Sequence, residues 1–161
     1  MKKEKIIKKV RASNQWKLSF ESKLVVERPT FKKIVAAIEN LDAKEEKCNS
    51  WIILEWFKSD GVWSGFVQTA CVEPGLYIVE LRLNYSKDGE RYGFWKAGQK
   101  SPSGAIVHPG KNGLYKTFEN ERLETSEVIS IFEHFYLHQK RHPDFKWRSE
   151  RKDLEATRPK S

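Results

Sequence analysis

Apolar and polar positions divide the middle of the chain into three long runs, SWIILEWF, VWSGFVQTACVE and LYIVELRLNY, all β-branched or aromatic in character. Asp60-Gly61 and Pro74-Gly75 separate them. Each pair has a physical reason to reverse the chain: Gly adopts positive φ without strain, and Pro74 presets the φ of a turn that Gly75 completes. A fourth run, ERYGFW, comes after Ser86-Lys87-Asp88-Gly89. The connections are too short for crossover helices, so consecutive strands are antiparallel neighbours in a meander.

Side-chain parity then sorts two faces, because successive residues of a strand point to opposite sides. Tyr77, Val79, Leu81, Leu83 and Tyr85 form one side of the third run and are assigned to the core. Ile78, Glu80, Arg82 and Asn84 form the other. In the second run Trp63, Val67 and Cys71 oppose Phe66, Gln68 and Ala70. The first run is apolar on both sides except at Glu55, which falls among Trp51, Ile53 and Phe57, so that strand is expected to be central or to have its second face covered.

On either side of the meander the periodicity changes. Residues 15–27 alternate, with Trp16, Leu18 and Phe20 facing one way, and predict one strand with a wet face. Pro29 and Thr30 then signal a helix start, with the Thr30 hydroxyl as cap, and Phe31, Ile34, Ile38 and Leu41 give an amphipathic helix over 30–41. Residues 97–113, AGQKSPSGAIVHPGKNG, form a long loop of the kind that often carries function. Residues 114–118 return as a short strand. Thr125 or Ser126 caps a second helix with Val128, Phe132 and Phe135 as its inner stripe, Pro143 ends it, and Phe145 and Trp147 are the last anchor. The predicted fold is α+β: an antiparallel meander sheet of about five or six strands with two main helices packed on one side.

Length and charge refine this picture. At 161 residues the chain suits one domain, placed at 12–147 between a basic tail at 1–11 and a charged tail at 148–161. The net charge of +8 is unevenly spread: residues 1–11 carry +5 and residues 140–161 carry +4, which leaves −1 for the body between them. The basicity therefore belongs to the ends, and nucleic-acid binding through them is the alternative function. No apolar run has the length of a membrane span or a signal peptide, so a cytoplasmic protein without membrane contact is expected. Cys48 and Cys71 form no CxxC, and reduced, partly buried thiols are the expectation.

Three constellations have chemical potential. His134, His138 and His142 recur every fourth residue, a spacing at which imidazoles can share a metal, but Pro143 frays the helix and no HExxH accompanies them. No metal site and no cofactor is assigned. Glu55, Gln68, Glu80 and Arg82 come from consecutive strands, and paired carboxylates suit acid–base work; cross-strand Glu–Arg pairing is the plainer reading, so the chain is not assigned as an enzyme. Trp51, Trp56, Trp63, Tyr92, Phe94 and Trp95 lie on strands, where stacking platforms for single-stranded nucleic acid would lie. Neither GxxxxGK, GxGxxG nor GxSxG occurs.

The order of helix, meander with FVQTACVEPGLYIVELRL, loop, and helix with VISIFEHFYLH resembles bacterial immunity proteins of polymorphic and contact-dependent-inhibition toxin systems, over residues 31–137. The resemblance implies a non-catalytic cytoplasmic protein that binds a cognate protein toxin domain. It directs attention to one sheet face and the long loop as the partner-binding surface: Trp51, Glu55, Phe57, Phe66, Gln68, Glu80 and Arg82 on the sheet, with Lys100, His108 and Lys111 on the loop. Such a surface requires aromatic anchors around a few charges.

Overall fold

The computed structural model describes residues 14–20, 24–41, 51–108 and 116–152. Its strands are β1 (Asn14–Phe20), β2 (Leu24–Glu27), β3 (Trp51–Lys58), β4 (Trp63–Glu73), β5 (Leu76–Asn84), β6 (Tyr92–Gly98), β7 (Ile106–His108), β8 (Thr117–Phe118) and β9 (Lys146–Ser149). The helices are α1 (Phe31–Glu39) and α2 (Thr125–His138). Seven strands form one antiparallel sheet in the order β2-β1-β3-β4-β5-β6-β9, while β7 and β8 pair separately. This is the α+β meander expected, with the added strands at its two edges.

Both edges depart from expectation for local reasons. Where one strand is expected over residues 15–27 there are two, β1 and β2, paired antiparallel with Leu18 opposite Val26. At the far edge β9 pairs with β6, Ala97 opposite Trp147, so the chain does not leave the fold at residue 148. Glu150 donates its amide to the Phe94 carbonyl at 2.8 Å and is buried. Lys146 and Arg148, part of the positive charge assigned to the C-terminal end, are thus built into an edge strand.

One face of the sheet carries Trp16, Leu18, Ile52, Leu54, Val67, Val79 and Leu81, all fully or almost fully buried. The two helices lie on it. Helix α1 contributes Ile34 and Ile38, and α2 contributes Val128, Ile131, Phe132, Phe135 and Tyr136. Trp16 packs edge-on against Phe135 at 5.5 Å and against Tyr136 at 4.9 Å. Each of these large side chains contributes about 2–3 kcal/mol of transfer free energy when fully buried. Thr30 caps α1 as expected, accepting from the Lys33 amide at 3.2 Å. At α2 the cap is one residue earlier than expected, at Glu124, whose amide donates to the Glu127 carboxylate at 2.9 Å.

Two parity assignments are corrected. Between Trp56 and Phe57 the β3–β4 register shifts, so Trp56 faces Gly65 but Phe57 faces Trp63. The extra residue moves Trp63 from the core side to the outer face, where it stacks on Phe66 at 6.1 Å. Tyr85 lies past the end of β5 and is 59% exposed, not core. Cys71 is buried and disulfide-bonded, contrary to the expected thiol; Cys48, the only other cysteine of the sequence, lies outside the described residues. Among the described residues no helix is long and apolar enough to cross a membrane.

Candidate functional site

The segment after β6 divides the face opposite the helices into a covered and an open part. Residues 99–108 and 116–121 turn back across the outer side of β6 and β9. A Cβ built on Gly98 would lie 2.8 Å from Asn120 Nδ2, and Lys96 Nζ donates to the Lys116 carbonyl at 3.2 Å and to Thr117 Oγ1 at 3.3 Å. The outer side of β3, β4 and the first half of β5 stays uncovered by any described residue. There Trp51, Ile53, Phe57, Phe66 and Ile78 are only partly buried, although nothing about their chemistry favours water.

Trp51, Ile53, Gln68, Ala70, Ile78 and Glu80 line a concavity of about 270 Å³ on this uncovered area, together with Thr69, which is buried and whose hydroxyl donates to the Ile78 carbonyl. The pairings Trp51↔Ala70, Ile53↔Gln68, Gln68↔Glu80 and Ala70↔Ile78 place these six side chains on three adjacent strands. Four are apolar. The two polar ones are bonded to each other, Gln68 Nε2 donating to Glu80 Oε2 at 2.5 Å.

Glu80 is also the outermost member of a buried charge network. Its Oε1 lies 3.5 Å from Lys96 Nζ, and Lys96 lies 3.0 Å from Glu150 Oε1. Arg148 reaches Glu150 at 3.2 Å and Glu121 at 2.6 Å. Lys96 and Glu150 are 1% and 2% exposed, so neither charge is screened by water. The network holds three carboxylates and two cations. Burial, and next the negative charge of Glu80, push the Glu150 carboxyl up to about 7; Lys96 opposes this. The second oxygen of Glu150 is buried without a hydrogen-bond partner among the described residues.

A second cluster lies beyond Phe66. Arg82 stacks over Tyr92 at 4.1 Å and Trp63 at 5.1 Å, donates to Asn84 Oδ1 at 2.9 Å and to the Gly89 carbonyl at 3.2 Å. Phe66 meets Phe94 at 6.2 Å. These contacts make Arg82 a structural tie between β5 and the turn leading into β6.

Of the residues singled out in the sequence, Trp51, Gln68 and Glu80 converge on the concavity. Phe66 and Arg82 belong to the neighbouring cluster. Glu55 and Phe57 lie on the same face towards β1, where Lys17 Nζ sits 5.1 Å from the Phe57 ring. Lys100 is exposed just past β6, and the His108 backbone pairs with Thr117, so neither is brought to the concavity by any contact among the described residues. Lys111 lies outside the described residues. Parity alone gives Ile53 and Ala70 to the same face. Lys96 and Glu150 have no local signal, because their role depends on a β6–β9 pairing between residues about fifty positions apart.

The histidines come together by a different route from the one expected. Helix α2 stops at His138, and Gln139 reverses the chain with φ of 52°. His142 returns to lie beside His134 at 4.7 Å, the same separation as His134 from His138. His142 Nδ1 accepts from the Asp144 amide at 3.1 Å, and its Nε2 meets Ser130 Oγ at 3.1 Å. Among the described residues no group of three or more His, Cys, Asp or Glu is placed to hold a metal ion.

No family model, no curated protein and no solved structure matches this chain.

Proposed function

We propose that this is a non-catalytic binding protein whose uncovered sheet face engages a protein partner, and that the partner is a toxin domain neutralised in the manner of an immunity protein. The observation that carries the reading is the half-covered outer face: α1 and α2 occupy one side of the sheet, residues 99–108 and 116–121 occupy part of the other, and β3 to β5 keep an aromatic and aliphatic area open. A contiguous apolar area rimmed by charges favours association, since its desolvation stabilises a complex while the rim sets orientation. The strand aromatics speak against a stacking platform for single-stranded nucleic acid: Trp56 and Trp95 pack against the core, and Tyr92 and Phe94 are buried.

The test is to look beside this reading frame for one that encodes a toxin domain, whose absence would count against the reading, and to co-express the two. A co-purifying complex and rescue of growth are expected, with both weakened by Trp51→Ala or Phe66→Ala, each removing an anchor worth about 1–3 kcal/mol of binding. Growth arrest that the protein does not relieve would refute the reading. Salt-sensitive binding to arbitrary oligonucleotides would replace it with the nucleic-acid alternative. We place the encounter in the cytoplasm; fractionation of the same cells checks this, because the disulfide at Cys71 favours an oxidising compartment.

A further inference from the structure

We propose that the concavity over β3, β4 and β5 receives one basic side chain of the partner, an alkyl-guanidinium or alkyl-ammonium whose stem lies against Trp51, Ile53, Ala70 and Ile78 and whose head reaches Glu80. The inference rests on the reading of this face as a protein-binding surface and names what it binds.

Three observations converge on this chemistry. First, the polar lining presents acceptors. Glu80 is a carboxylate, and Gln68 turns its amide nitrogen towards Glu80, spending one N–H there, so that its carbonyl oxygen is a further acceptor. A ligand must therefore bring donors. Second, once Glu150 is ionised the charge behind Glu80 is unbalanced: among the described residues Glu80, Glu121 and Glu150 then face Lys96 and Arg148. Lys96 is spent mainly elsewhere, on Glu150 at 3.0 Å, the Lys116 carbonyl and Thr117, and lies farther from Glu80 at 3.5 Å. One further cation at Glu80 makes the set of charges even. Third, the remaining wall is aliphatic and indole, which suits the methylene stem of Arg or Lys and gives the head an aromatic face nearby. An anion would meet Glu80, and a purely apolar side chain would dehydrate Glu80 and the Gln68 carbonyl without adding a donor to those Glu80 already has from Gln68 and Lys96.

Proton linkage gives an independent signature. Glu150 is the group of this network that takes up a proton near neutrality, and Glu80 from β5, Lys96 from β6, Arg148 beside it on β9 and Glu121 behind Arg148 are the charges that face it. A bound cation favours ionised Glu150, so binding releases a proton. Affinity should then rise with pH, by up to about tenfold between pH 6 and pH 8, if only the ionised network binds well.

The test takes the whole chain and n-butylguanidinium as probe, with n-butanol as its uncharged counterpart, monitored by NMR shifts of the Trp51 indole and the Gln68 side-chain amide. Butylguanidinium is expected to bind with low affinity, n-butanol at least about tenfold more weakly, and the difference should vanish in Glu80→Gln. Should that variant fail to fold, Ala70→Leu fills the concavity from the opposite wall and should abolish both titrations. Equal binding of the two probes, no binding of butylguanidinium, or binding that survives both substitutions overturns the proposal. Its failure is separable from that of the functional reading. A toxin complex whose Kd is unchanged by Glu80→Gln removes the basic-side-chain site alone, and butylguanidinium binding at Glu80 without any toxin complex removes the immunity reading alone.

Discussion

His134 is the residue whose environment is least legible from the sequence. A spacing of four predicts a straight row on one helix edge, with His134 and His142 two turns apart. The left-handed Gln139 instead folds the third imidazole back, so His134 lies between two others at equal distance. Burial first, then the charges of His142 and His138, push the His134 imidazole below its usual 6.5; Asp144 opposes them. Histidine NMR titration should therefore give His134 an apparent pKa below 6.5, and His142→Ala should move it upward by removing one repelling neighbour. A His134 that titrates at 6.5 or above in the unaltered protein would mean that the ring is not desolvated in this way, and indifference to His142→Ala would mean that the rings do not sense one another.

At the scale of elements, the bulge in β4 governs which aromatics reach the outer face. Ser64 is the inserted residue, and Gly65 after it has φ of 155° with no room for a side chain: a Cβ there would lie 2.3 Å from the Arg82 carbonyl oxygen of β5. That oxygen belongs to backbone, so neither partner can yield by changing rotamer. Gly65→Ala should destabilise the fold by roughly 3 kcal/mol, as overpacking of a fixed neighbour does, and should separate Trp63 from Phe66 and Arg82. Urea unfolding and Trp fluorescence check both. A loss below about 0.5 kcal/mol, the range of an ordinary surface substitution, would show that β4 and β5 are not held this closely. Here also lies the boundary of what can be read from the chain. Turn pairs and two-residue alternation locate β3, β4 and β5, and three- and four-residue spacing locates both helices, since each signal is local. Trp63 escapes correct assignment because one inserted residue inverts parity, and β9 escapes notice because its short run KWRS carries charge and pairs across the chain. Trp51, Gln68 and Glu80 are legible as one face by alternation; their convergence with Ala70 and Ile78 needs the register as well.

For the whole molecule, the two groups perturbed near neutral pH, Glu150 and His134, pull stability in opposite directions as pH changes. Glu150 has a folded-state value raised from 4.5 to about 7, so the folded chain holds a proton that the unfolded chain releases between those limits. Its contribution is greatest at acid pH and is lost as pH rises towards 7; above that it is constant. Between pH 8 and pH 5 the linkage amounts to roughly 2–3 kcal/mol of added stability on acidification. His134, depressed below 6.5, contributes stability that is complete above 6.5 and is lost as pH falls through its folded value. Wild-type stability should accordingly change less between about pH 8 and pH 5 than Glu150 alone would dictate. Glu150→Gln separates them, because glutamine retains the shape of the protonated acid and cannot ionise. Unfolding in urea at pH 8 and pH 5 should show the variant losing stability on acidification relative to the wild type, the gap widening by about 2–3 kcal/mol. A gap that stays constant with pH would mean that Glu150 keeps an ordinary carboxylate in the fold. The surplus negative charge behind Glu80, on which recognition of a basic side chain depends, would then be present at every pH in this range, and the expected rise of affinity with pH would disappear with it.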